Sequence, residues 1–227
     1  MAKWLFDPGH GGRDSGAVYN GRYEKNDVLN LCNKVGSILE SNGEEVHFTR
    51  TTDVDLTLNE RSRKENISKC DYFISFHRNA YKPEEARGVE TYIFSKGNKM
   101  EKFAGTVNKA LINIGFADRG VKTANFHVLK QTRCPAMLIE VGFIDNTHDN
   151  NLFDNNFSKI AHALAEAFLN QIGKTIYTPA EKPLVGAGNE FYRVVCGSFT
   201  NKDNAEKRKN ELQKLGYKDV FVDIYKK

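Results

Sequence analysis

Three short apolar runs in this chain each stop on a residue suited to metal hydrolysis: Trp4-Leu5-Phe6-Asp7-Pro8-Gly9-His10, Tyr72-Phe73-Ile74-Ser75-Phe76-His77 and Ala136-Met137-Leu138-Ile139-Glu140. Apolar runs between helical patterns read as buried strands of an α/β sheet, and such sheets hold ligands at the carboxyl ends of their strands. Two imidazoles and a carboxylate then meet on one edge.

Zinc accepts histidine nitrogen and carboxylate oxygen, and a catalytic site keeps three protein ligands and one open position. His10 and His77 supply two. Glu24 is the best third ligand: it follows the Gly-rich turn from His10 to Ala17 and opens a helix, where its carboxylate can turn back toward the strand ends. Zinc lowers the pKa of bound water to about 7. A carboxylate outside the coordination sphere can carry the water's proton to a leaving nitrogen, worth roughly 10²- to 10⁴-fold in rate. Glu140, alone at the end of an apolar strand, is placed for that work, and a buried Glu without a partner would be costly. A lone histidine at a strand end is also an ordinary structural residue, and no contiguous H-E-x-x-H pattern occurs. The convergence of several strand ends carries the reading.

The elements that must position these residues follow from periodicity. Val28, Leu31, Val35, Ile38 and Leu39 form the apolar face of a helix opened by Glu24 and closed near Gly43. Residues 45–50 read as a second strand, and Thr57 with Glu60 has capping-box spacing ahead of a basic helix. Residues 88–94 make another strand, and Met100, Phe103, Val107 and Leu111 mark a helix from about 99 to 114. Residues 118–133 read as a long polar connection. A last helix carries Phe157, Ile160, Leu164, Phe168 and Ile172 and is capped by Gly173. The fold class is α/β: a twisted, mostly parallel sheet with helices on both faces, plus a small C-terminal βαβ module.

At 227 residues there is room for one ordinary domain and a small addition. Residues 1–174 read as the catalytic domain, 175–189, with Pro179, Pro183 and Gly186-Ala187-Gly188, as a linker, and 190–227 as the module. The net charge is +4, with 9 Lys+Arg against 6 Asp+Glu in residues 190–227. That imbalance is compatible with an anionic polymer or with a merely solvated basic face. Cys32, Cys70, Cys134 and Cys196 form no C-x-x-C pair and read as reduced, buried thiols. Met1-Ala2-Lys3 runs directly into the first strand, and no run of 18 apolar residues occurs. The expectation is a protein made in the cytoplasm without a signal peptide or membrane insertion.

These residues carry a resemblance. Asp7-Pro8-Gly9-His10-Gly11-Gly12, Glu24, Thr49-Arg50, Arg61, Ser75-Phe76-His77-Arg78-Asn79-Ala80, Gly88-Val89-Glu90-Thr91 and the segment Pro135 to Asn146 resemble, in order, the zinc N-acetylmuramoyl-L-alanine amidases of the amidase-3 type. The match covers about residues 1–173. It implies one zinc per chain held by His10, Glu24 and His77, with Glu140 as the catalytic carboxylate. The bond cut would be the amide between N-acetylmuramic acid and the first L-alanine of the peptidoglycan stem peptide. Arg78 stands where the family usually has a small residue, so it contacts either a stem-peptide carboxylate or solvent. Arg78, Asn79, Asn125 and His127 are the candidates for substrate contact, His127 with a packing role as its alternative. Arg119, on the loop with His127, is a further candidate.

The segment Phe191 to Phe199, residues 201–206 and Leu215-Gly216-Tyr217 resemble one half of a SPOR domain, a module that binds glycan strands stripped of their stem peptides. Tyr192, Phe199 and Tyr217 would stack on sugars or form the small core of the tail. One half-repeat leaves an open sheet edge, which a homodimer through two tails would cover. The resulting reading is a wall-lytic amidase, a phage endolysin or autolysin acting on peptidoglycan after release, with no nucleic-acid partner. Its rivals are a zinc peptidase or deaminase using the same ligands, and a wall-binding protein with a degenerate site.

Overall fold

The apolar runs form the centre of one sheet in the computed structural model, which describes residues 1–176, 199–214 and 220–222. In chain order the first unit contains β1 (Lys3–Pro8), a two-stranded hairpin of β2 (Val18–Tyr19) and β3 (Arg22–Tyr23), α1 (Glu24–Ser41), β4 (Glu45–Phe48), α2 (Leu58–Ser68), β5 (Tyr72–Asn79), β6 (Val89–Ile93), α3 (Lys99–Ile112), β7 (Asp118–Thr123), α4 (His127–Lys130), β8 (Ala136–Phe143), α5 (Thr147–Asn155) and α6 (Phe157–Gln171). The six-stranded sheet has the order β4-β1-β5-β8-β6-β7. Every neighbouring pair in it is parallel except β6 with β8.

Alternation along the strands divides the side chains between two faces. Trp4, Phe6, Ile74, Phe76, Met137 and Ile139 face the main core with the apolar stripes of α1, α3 and α6. There Trp4 stacks on Tyr72 at 4.6 Å and on Phe168 at 5.5 Å between ring centroids. On the opposite face Leu5, Phe73 and Leu138 form a smaller cluster with Val128 and Leu129 of α4. Toward the carboxyl ends of β1, β5 and β8 that second face changes from apolar to polar. Leu5 gives way to Asp7, Phe73 to Ser75 and His77, and Leu138 to Glu140.

The Thr57 and Glu60 capping box forms as expected. The polar connection at 118–133 does not. Residues 118–123 join the sheet as β7, parallel to β6, and His127–Lys130 forms a helical turn. The strand escapes periodicity because Val121 is its sole bulky apolar residue; buried Glu90 on β6 instead binds Arg119 and Lys122. α5 was equally hidden by its polar sequence, although Asn146 caps it by accepting from the Asp149 N–H at 3.1 Å.

Contacts divide the chain into two compact units, Met1–Tyr177 and Thr178–Lys227. The second contains α7 (Lys202–Lys214), within the helix expected in the tail. Phe199 is exposed. Tyr192, Tyr217 and most of the two strands that a βαβ reading of 190–227 requires lie outside the described residues; residues 220–222 are described and belong to no regular element.

Candidate active site

Glu24 is the hub of the site. As the first residue of α1 it is buried, and its Oε1 lies 2.9 Å from His77 Nδ1 while its Oε2 lies 3.2 Å from His10 Nε2. Each oxygen also accepts a backbone N–H, Oε1 from Arg78 at 3.0 Å and Oε2 from Ala17 at 2.9 Å. The His10 and His77 rings meet edge to face, 4.9 Å between centroids. One donor atom from each of the three residues falls within 4.8 Å of the others. Two imidazoles and a carboxylate aimed at one point are a donor set that fits a divalent metal ion.

The surroundings hold these atoms in place. Asp14 Oδ2 lies 2.8 Å from His10 Nδ1, which leaves Nε2 facing Glu24. His10 itself adopts φ 58°, a left-handed conformation that a non-glycine residue keeps only when its neighbours impose it. They do so through two arginines. Arg61 donates to Asp7 at 2.7 Å, to the Pro8 carbonyl at 2.8 Å and to the His10 carbonyl at 2.7 Å, while Arg50 donates to the Pro8 and Gly9 carbonyls at 3.0 and 2.7 Å. Buried Asp7 also accepts from Thr49 at 2.6 Å and Ser75 at 2.8 Å. Two glycines are required by close approach: a Cβ at Gly9 would lie 2.3 Å from the His77 ring, and one at Gly16 2.6 Å from both Glu24 and His10.

Charge in the cluster is strongly biased. Burial opposes ionisation of Glu24, yet the hydrogen bonds and charges of His10 and His77 outweigh it and hold the carboxyl well below its usual range. Burial likewise opposes a charge on His77, but Glu24 raises the imidazole to about 9. Glu140 behaves in the opposite way. It sits beside His77 in register, its Oε2 is buried with no hydrogen-bond partner, and burial pushes its carboxyl up to about 7. A carboxylate balanced near neutrality, adjacent to a donor set that fits a metal ion, can accept and return a proton.

The four candidates for substrate contact separate. Arg78 is corrected: its guanidinium is buried inside the protein, out of contact with solvent, and its donors are taken up by protein groups. It donates to Asp27 at 2.8 Å and to the carbonyls of Val141 and Phe143 at 3.0 and 3.3 Å, and lies 4.3 Å from the Phe153 ring centroid. Asn79 donates to Glu90 at 2.7 Å. Asn125 is exposed between β7 and α4. His127 is half-buried, 3.3 Å from the Ser62 hydroxyl, at a groove between α2 and α4 also lined by Arg63 and Arg133. Arg119 is held by Glu90 at 2.7 Å.

Glu90 is a site residue that sequence reasoning left without a role. It lies opposite Glu140 in the antiparallel β6–β8 register and gathers Asn79, Tyr92, Arg119 and Lys122 around its carboxylate. Burial opposes its charge, but Lys122, Tyr92 and Arg119 hold its carboxyl below the ordinary range. Its signal was its place in the Gly88-Val89-Glu90-Thr91 motif. Asp14 likewise lay in the Gly-rich turn.

The family described as amidase 3, N-acetylmuramoyl-L-alanine amidase, matches residues 5–170. This chain belongs to that family. A SPOR domain also matches, over residues 161–223. The amidase is 34% identical over 226 residues, 98% of this chain and 85% of the relative, to the sporulation-specific N-acetylmuramoyl-L-alanine amidase of Bacillus subtilis (strain 168). It is 40% identical over 173 residues to the endolysin of Bacillus phage SPP1, covering 72% of this chain and 63% of that protein. Among solved structures it resembles the catalytic domain of CwlV, an N-acetylmuramoyl-L-alanine amidase from Bacillus (Paenibacillus) polymyxa var. colistinus, with TM-score 0.71 and 34% identity over 76% of this chain and 99% of that one. An N-acetylmuramoyl-L-alanine amidase from Clostridium difficile 630 gives TM-score 0.71 at 29% identity, over 76% and 97% of the two chains. The amidase is therefore a peptidoglycan hydrolase with a SPOR module, and among its described residues no helix is long and apolar enough to cross a membrane.

Proposed function

We propose that this amidase hydrolyses the bond between N-acetylmuramic acid and L-alanine with one zinc ion held by His10, Glu24 and His77, and with Glu140 as its proton carrier. The observation that carries the reading is the facing donor set of Glu24, His10 and His77 beside an unpartnered buried Glu140 oxygen. Zinc bound there supplies Lewis acidity, polarising the amide carbonyl and acidifying water. The chain does the rest. Glu24 and Asp14 orient the two imidazoles, and Glu140 Oε2 takes a proton from the attacking water and returns it to the departing alanine nitrogen. Glu90, with Arg119 and Lys122 on it, fixes the edge of the sheet next to Glu140.

Residues 1–174 would form the catalytic domain and 190–227 a wall-binding half-repeat on the linker 175–189. In it Tyr192, Phe199 and Tyr217 contact glycan, and two tails pair in a homodimer. Asn125, exposed between β7 and α4, and His127, which lines the α2–α4 groove, are the remaining candidates for contact with the stem peptide. The setting would be that of an endolysin or autolysin acting on the wall after release. Digestion of purified peptidoglycan tests the reaction: new L-alanine amino termini without new reducing sugar are expected. Amino termini of other residues would point to a peptidase instead.

A further inference from the structure

Cys70 and Cys134 stand apart from the catalytic cluster and are brought together by the fold. Each precedes the start of a strand, Cys70 before β5 and Cys134 before β8, and those strands are parallel neighbours with Phe73 opposite Ala136. Their sulfurs lie 3.0 Å apart across 64 residues of sequence. The backbone holds this approach without help from the sulfurs. Lys69 takes the left-handed conformation, φ 52°, that ends α2 and turns the chain into Cys70. Buried Glu65 accepts the Arg133 and Cys134 N–H groups, each at 2.9 Å, and so pins the segment before β8 to α2. Cys70 is buried and Cys134 partly exposed, which gives a reagent access to one sulfur of the pair.

We propose that Cys70 and Cys134 are a covalent modification site, converted by a small-molecule disulfide such as glutathione disulfide into a cross-link between the bases of β5 and β8. A thiolate of the pair attacks the reagent, forming a mixed disulfide and releasing one thiol; the second cysteine then displaces the other. The reagent S–S bond breaks, the Cys70–Cys134 bond forms, the protein is oxidised by two electrons, and both protons leave on the released thiols. The reagent meets Cys134 first, because that sulfur is the partly exposed one, and Cys70, 3.0 Å away, is in place to displace the second thiol. The link closes a loop containing β5, β6, α3, β7 and α4, and so restricts the unfolded chain. It lies at the amino ends of the strands, whereas His77 and Glu140 lie toward the carboxyl ends, so it stabilises without altering turnover.

The test uses the full-length chain, reduced and then equilibrated with glutathione disulfide. Non-reducing peptide mapping should join the Cys70 and Cys134 peptides, intact mass should fall by two hydrogens, and the melting temperature should rise by roughly 5–15 °C at unchanged wall-lytic rate. Cys70→Ser and Cys134→Ser should each abolish the link and the rise. Alkylation of both thiols after oxidation, pairing with another cysteine, or a link without a thermal shift would overturn the proposal. So would a second bound zinc that either serine variant removes, since Glu65, Cys70 and Cys134 would then be metal ligands.

Discussion

Glu140 lies directly opposite His77 in the parallel register of β8 and β5. Cross-strand partners point to the same face, so the acid stands beside the imidazole while Glu24, arriving from a helix N-terminus, takes the position between His77 and His10. One carboxylate is thus clamped by hydrogen bonds and the other left with a buried, unpartnered oxygen. On the proposed reading this difference separates a ligand from a proton carrier.

The unpartnered oxygen makes metal-free protein sensitive to pH. The Glu140 carboxyl moves from its ordinary 4.5 up to about 7, so the folded state holds the proton more tightly than the unfolded chain does. Relative to Glu140→Gln, wild type should therefore lose stability as pH rises from about 4.5 through 7, by up to about 3 kcal/mol. Urea unfolding of both metal-free proteins at about pH 4.5 and about pH 8 measures the difference. Wild type gaining stability relative to the variant as pH rises would contradict the assignment.

Asp14 is largely exposed, yet it sets which His10 nitrogen faces Glu24. Asp14→Ala should weaken zinc affinity roughly 10- to 100-fold while leaving the fold intact. Competition with a fluorescent chelator, alongside circular dichroism, reads both quantities.

Arg78 should behave as a structural residue. Arg78→Ala leaves a buried gap and takes one partner from Asp27, for an expected loss of about 3–5 kcal/mol. Protein that remains folded at low temperature should keep the wild-type KM for soluble wall fragments. A raised KM at full stability would return Arg78 to the substrate.

Glu90 ties β7 to the rest of the sheet. Glu90→Gln should remove charge pairing from Arg119 and Lys122 and cost about 1–3 kcal/mol. Hydrogen exchange should accelerate across residues 118–123 before it does so in β5 or β8. Unchanged protection there would show that β7 is held by its backbone alone.

The strands and helices that bury an apolar face were legible in the sequence, because Trp4 to Phe6, Phe73 to Phe76 and the stripe from Ile160 to Phe168 announce themselves by period. β7 and α5 were not, since one rests on ion pairs to Glu90 and the other on an asparagine cap. His10, Glu24, His77 and Glu140 could be picked out as strand-end and helix-start residues. The direction of Arg78 could not: alternation sends His77 to the polar face and Arg78 to the other, where Asp27 and Phe153, distant in sequence, receive it. The meeting of Cys70 and Cys134 was hidden for the same reason, as parallel register is set by the whole sheet.

The central claim is that Glu140 moves the proton without holding the metal. Zinc content and lysis of purified cell walls, measured together for wild type and Glu140→Ala, test it most directly. Both proteins should carry one zinc per chain, and the variant should lose at least about 10²-fold in lytic rate. Wild-type lysis by the variant, or loss of zinc along with activity, would contradict the account.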